Sequence, residues 1–104
     1  MPIKQYRLRF LPLFEDDLNE IVDHIAVRLR NPTAAGNIVD EVQAAIRERA
    51  ACAEAFEPHP SSRDRLHPYY RIYVKNYIIF YVVIDDIMEA RRIIYSKSDI
   101  AKKI

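Results

Sequence analysis

Residues 69–95, YYRIYVKNYIIFYVVIDDIMEARRIIY, constrain the fold more than any other part of the chain. They form three short runs dense in Ile, Val, Tyr and Phe, residues that suit a pleated, half-buried surface. Lys75-Asn76 divides the first run from the second, and Asp85-Asp86 divides the second from the third. Polar pairs between β-type runs mark short hairpin loops, because Asn and Asp tolerate the positive φ such loops need. The reading is an antiparallel meander over 69–75, 77–84 and 87–95. The middle run is apolar at both parities, which predicts a central strand covered on both faces. In the first run Arg71, Tyr73 and Lys75 share one face, and Ile72 and Val74 the other. Such a sheet must bury a face, so the rest of the chain should be its cover.

Residues 3–11, IKQYRLRFL, alternate as a strand with one buried face, Tyr6, Leu8 and Phe10, against Gln5, Arg7 and Arg9. Pro12 ends that strand and opens a helix. From 13 to 30 the period changes: Phe14, Leu18, Ile21, Val22, Ile25 and Leu29 trace one helical stripe. Glu15, Asp16 and Asp17 fall in the first turn, and Arg28 and Arg30 in the last, as the helix dipole favours. Asn31-Pro32 stops this helix and caps the next. The second helix is expected over 32–53, with Ala35, Ile38, Val42, Ile46, Arg49, Ala50 and Ala53 on its stripe. Gly36, the only glycine, costs up to about 1 kcal/mol there relative to Ala, and a close contact is one reason to keep it. Residues 54–68 form a proline-rich loop, and residues 96–104 a short basic tail of one helical turn or a frayed end.

The order β-α-α-β-β-β defines a two-layer α+β domain over residues 1–104: a helix hairpin on one face of a mainly antiparallel four-stranded sheet. Its length suffices for one modest core. The lone Cys52 excludes an internal disulfide and fits a reducing compartment. With no signal peptide or spanning segment in view, a cytoplasmic location is expected and no membrane partner. Cys52 and His24, His59 and His67 make no metal pattern, so neither metal nor other cofactor is expected. His24 reads as a surface pair with Glu20, and Cys52 as a small buried filler. Residues 1–60 carry 7 Lys/Arg against 10 Asp/Glu, residues 61–104 carry 9 against 5. The positive charge therefore gathers on the sheet and tail, where an acidic partner or nucleic acid would be drawn.

The element order resembles the RelE/ParE superfamily of bacterial toxins from type II toxin–antitoxin systems. So do three motifs: Asn31-Pro32-x-Ala34-Ala35, the Tyr70-Arg71-Ile72…Asn76-Tyr77 hairpin, and the closing Ile93-Ile94-Tyr95-Ser96-Lys97-Ser98-Asp99. The resemblance implies a small toxin held in a hetero-oligomer by a cognate antitoxin, whose extended or helical segment wraps it. Some such toxins are ribosome-dependent endoribonucleases acting on mRNA, and others poison DNA gyrase. A non-toxic interaction module is a third possibility. If the chain is a nuclease, its catalytic residues would be Arg71, Tyr73, Tyr95 and Lys97. This chain has Ile78 where an arginine is typical, and no histidine in the tail. Tyrosine titrates near 10, so it is a poor base at neutral pH. The incomplete set leans toward gyrase and away from an enzyme. Candidate contacts for target or antitoxin are Arg65, Arg71, Tyr73, Lys75, Arg91, Arg92 and Lys97. Tyr69, Tyr70 and Tyr77 interleave with Arg71, Tyr73 and Lys75 as a potential stacking platform. Arg91 and Arg92, adjacent in a strand, are expected on opposite faces, one free for a partner and one tied to a carboxylate.

Overall fold

The computed structural model describes residues 5–60 and 66–104. The meander is present: β2 (Tyr70–Val74), β3 (Tyr77–Ile84) and β4 (Ile87–Tyr95) pair antiparallel, β2 with β3 and β3 with β4. The first strand, β1 (Arg7–Phe10), adds parallel to β4, giving the order β1-β4-β3-β2. Two-residue loops join the meander. Their left-handed residues are Lys75, with φ 53°, and Asp85, with φ 55°. The sequence favoured Asn76 for the first of these, but Lys75 carries it.

Helix α1 (Pro12–Asp23) runs into a π-helical turn over His24–Arg28, and α2 (Pro32–Arg49) follows. Pro12 and Pro32 each sit in a first helical turn, and the Asn31 carboxamide accepts from the Ala34 N–H at 3.1 Å. That is the predicted cap. The wide turn bonds the Leu29 N–H to the His24 carbonyl at 3.0 Å and the Asn31 N–H to that of Ile25 at 3.1 Å. Inserting it advances the helical phase, so Leu29 leaves the predicted stripe and stands 60% exposed. Arg30, at φ 50°, then reverses the chain. Only Glu15 lies in the first turn of α1; Asp17 sits a turn further on.

The two helices bury one face of the sheet, hereafter the helix face. There Phe14 from α1 and Ile38, Val42 and Ile46 from α2 meet Ile72, Ile79 and Tyr81. The opposite face holds Ile78, Phe80, Val82 and Ile94, against which Tyr69, Ile100 and Ile104 pack. The central strand is thus covered on both sides, as its doubly apolar pattern requires. Ile79, Phe80, Tyr81 and Val82 are fully buried, and each such side chain contributes about 1.5–3 kcal/mol by leaving water. The tail forms the single turn α3 (Ile100–Lys103), which brings Ile100 to the second face.

A bulge in β4 makes the two faces possible. Phe80 pairs with Arg92 and Tyr81 with Ala90, leaving Arg91 without a partner on β3. The extra residue shifts the alternation by one. Met88 and Ala90 before it and Ile93 after it therefore share the helix face.

Four expectations need correction. In β1 only the preceding Tyr6 is buried, while Leu8 and Phe10 are 38% and 41% exposed. The strand is an edge, beyond the full cover of the helices. Helix α2 ends at Arg49 rather than Ala53, and turns follow. Cys52 consequently leaves the stripe and is exposed, although Ala50 and Ala53 remain buried. A Cβ placed on Gly36 meets nothing within 4 Å, so no close contact explains that glycine. Among the described residues, no helix is long and apolar enough to cross a membrane.

Candidate interaction site

The sheet sorts the sequence-derived site residues into separate places. Arg71 pairs with Phe80 and Tyr73 with Ile78, so both side chains stand on the second face at the β2 edge. Tyr73 is 64% exposed, and the Arg71 guanidinium lies 5.9 Å from its ring centroid. Lys75 turns the corner and reaches Glu41 of α2 at 3.5 Å. The Ser96 N–H donates to the Asn76 carbonyl at 2.8 Å, which brings exposed Lys97 to the same end of the sheet. Arg71 and Tyr73 thus sit together on the second face of β2, while Lys75 and Lys97 lie at the end of the sheet where β2 turns into β3. Arg65 lies outside the described residues.

Tyr95 belongs elsewhere. It pairs with Tyr77, which pairs with Val74, a column on the helix face. The Tyr77 and Tyr95 rings tilt together at 5.9 Å. Burial, then the neighbouring Tyr95, raises the Tyr77 pKa. Of the proposed stacking tyrosines, Tyr70 and Tyr77 pack toward the helix-face core and Tyr69 is 8% exposed. Tyr73 alone of that group presents an open ring.

Arg91 and Arg92 do not divide between opposite faces, because the bulge breaks the alternation between them. Arg91 donates to Glu89 at 2.8 Å, and Arg9 donates to the other carboxylate oxygen at 2.8 Å. Burial alone pushes the Glu89 pKa up. The hydrogen bonds from Arg91 and Arg9 outweigh it and hold the carboxyl below its ordinary range. Burial would likewise lower the Arg91 pKa, but Glu89 and the Tyr69 hydroxyl raise it overall. Arg92 grips Asp17 through two bonds of 2.7 and 3.0 Å and donates to the Lys103 carbonyl at 2.7 Å. The Asp17 bonds raise its pKa. Asp17 also accepts from the Ile93 N–H at 3.1 Å. One arginine therefore ties helix α1, strand β4 and the tail together, and both arginines are engaged inside the molecule.

Arg49 went unrecognised as a site residue because it sits on an apolar stripe. Its guanidinium donates to the Tyr81 hydroxyl and the Arg71 carbonyl, each at 3.0 Å, and stacks 3.5 Å from the Phe56 ring centroid. Tyr81 in turn donates to the Ala53 carbonyl at 2.7 Å. A charge on a buried stripe is the signal that pointed there: it must find partners. Between α1 and the part of β4 beyond β1 lies a groove of about 590 Å³, lined by Glu20, His24, Asn76, Arg92, Tyr95 and Ser98 among others. Among the described residues no group of His, Cys, Asp and Glu is arranged to hold a metal ion.

The family model described as "ParE toxin of type II toxin-antitoxin system, parDE" matches residues 8–100. The chain belongs to that family. A solved structure titled "Chromosomal ParDE TA system from P. aeruginosa" superposes with a TM-score of 0.73 at 18% identity, covering 90% of this chain and 99% of the other. At that identity the match speaks for the fold. No curated protein matches the sequence.

Proposed function

We propose that this toxin arrests growth in the cytoplasm by binding DNA gyrase, without cutting RNA, and that a cognate antitoxin neutralises it in a hetero-oligomer. The observation that carries the reading is the separation of Tyr95 from Arg71 and Tyr73 across the two faces of the sheet. RNA cleavage through the 2′-hydroxyl needs a proton acceptor, a proton donor and cations converging on one phosphate. Here Arg71 and Tyr73 stand on the second face, while Tyr95 aligns with Tyr77 and Val74 on the other. Between them Ile78 is 6% exposed and apolar, so it supplies no contact to a phosphate oxygen. Losing one such donor costs on the order of 10²–10³ in rate. Exposed Tyr73, Lys75 and Lys97, with half-buried Arg71, suit contact with a protein surface carrying acidic residues.

Expression of the gene alone is expected to arrest growth, with blocked supercoiling and DNA damage while translated mRNAs stay intact. Mapping transcript 5′ ends shortly after induction, beside a supercoiling assay on purified gyrase, decides it. Codon-phased cuts that vanish in Arg71→Ala or Tyr95→Phe would establish RNA cleavage instead. Healthy growth at high folded expression would mark a non-toxic module.

A further inference from the structure

A β-sheet edge offers unpaired N–H and C=O groups to any passing strand, and proteins usually close such edges. Two of the three open stretches here are partly closed by the chain itself. Along β2, the Tyr69 carbonyl accepts from the His59 N–H at 2.6 Å and the Arg71 carbonyl from Arg49 at 3.0 Å. Along β4 beyond β1, the Ile93 N–H is taken by Asp17 at 3.1 Å and the Tyr95 carbonyl by the Ser98 N–H at 2.9 Å. The outer edge of β1 differs. The Arg7 and Leu11 N–H groups donate inward, to the Asp86 and Ala90 carbonyls. The strand's two-residue period therefore turns the N–H and C=O of Leu8 and Phe10 outward. Among the described residues no hydrogen bond reaches them.

We infer that the β1 edge is a docking strip for an extended segment of a partner polypeptide in which apolar and acidic residues alternate. The side chains specify that alternation. Leu8 and Phe10 pair with Met88 and Ala90, so they stand on the helix side, 38% and 41% exposed. Arg7 and Arg9 project on the other side, their side chains 71% and 47% exposed despite the bonds to Asp86 and Glu89. An added strand would therefore place its apolar residues along Leu8 and Phe10 and its acidic ones along the arginines. A second copy of this chain fits less well. Antiparallel pairing of two β1 strands would set the arginines of one against those of the other, and like charges directly opposite destabilise a sheet. The inference rests on the toxin reading only in expecting that a partner segment exists, and the strip is separate from Arg71 and Tyr73 on β2.

The test uses amide exchange of the full chain, followed by NMR, with the capped peptide Val-Glu-Val-Glu-Val-Glu-Val at about millimolar concentration. Exchange at Leu8 and Phe10 is expected to slow on the order of tenfold, with Tyr73 on the opposite edge unchanged. Leu8→Pro deletes one outward donor and leaves the inward bonds in place, so it should abolish the protection. The double variant Arg7→Glu, Arg9→Glu provides a second check if Leu8→Pro fails to fold. It should lose the glutamate peptide and accept the corresponding lysine peptide. No protection at Leu8 and Phe10, equal protection by both peptides, or protection at Tyr73 instead would overturn the inference. Concentration-dependent protection without any peptide would overturn it in favour of a second copy. Growth arrest on expression reads the toxin function separately, so failure of one leaves the other standing.

Discussion

The two faces of the sheet are covered by different means. The helix face is closed by two helices whose apolar stripes run the length of the sheet, and its core is continuous from Tyr6 to Ile93. The second face is assembled from pieces: the His59 ring edge-on to Phe80 at 5.3 Å, Tyr69 at 5.9 Å from the same ring, and Ile100 and Ile104 from the tail. Those pieces are held from outside the face. Arg92 pins the tail through the Lys103 carbonyl, and the His59 N–H is bonded to β2. Regular helices carry their own backbone bonds to a surface, whereas loops and short turns depend on side-chain anchors. The second face is therefore the one that a single distant substitution can loosen.

Truncating Phe80 to Ala gives the largest expected effect. Removing this fully buried ring should cost about 3–5 kcal/mol, less if the His59 and tail pieces collapse into the space. Val42→Ala on the helix face removes less volume but has rigid neighbours, so its cost per methylene should be higher. Urea unfolding of both variants measures the contrast. Equal cost per methylene would show that the second face is as rigidly packed as the first.

A smaller contrast is expected in pH. On the helix face, the hydrogen bond from Tyr6 to Glu54 at 2.6 Å, then burial, raises the Tyr6 pKa to about 12. A raised pKa gives stability that is present below the usual value near 10 and lost as pH rises toward about 12. On the second face, Glu89 is lowered. Its contribution is present above the ordinary glutamate value of about 4.3 and lost as pH falls through the folded value. Melting temperature against pH should therefore show a shallower alkaline slope in Tyr6→Phe, with the part from Tyr77 remaining, and a shallower acid slope in Glu89→Gln. An acid limb unchanged in Glu89→Gln would show that the Arg9–Glu89–Arg91 cluster is not coupled to folding.

The smallest effect expected lies with the helices. Gly36→Ala should stabilise by at most about 1 kcal/mol, since the added methyl meets open space and the glycine's backbone entropy is removed. A loss of stability in urea unfolding would mean that the helix hairpin is less regular than its pattern.

Much of this fold was written in local periodicity. The change from a period of two to a helical one at Pro12, the Asn31 cap and the doubly apolar run of β3 each depend on neighbours a few residues away, and each was readable. So was the placement of Arg71 and Tyr73 on one strand face, whereas Lys75, read with them, falls in the loop at φ 53° and reaches Glu41 of α2. What escaped depends on partners far along the chain. The π-helical turn that frees Leu29, and the bulge that puts Arg91 and Arg92 on unexpected courses, add one residue of phase. No pattern in composition marks where that insertion falls. Asp17 looked like a dipole residue of α1, yet it is taken up by Arg92 and the Ile93 N–H, groups 75 and 76 positions away in sequence. Arg49 looked like one more stripe position and instead secures Tyr81 and the edge of β2. The sequence by itself determined which segments form strands and helices and which faces are apolar, because those are short-range properties. Only the tertiary structure decided which charges are spent internally and which remain for a partner, because pairing is fixed by where distant segments meet.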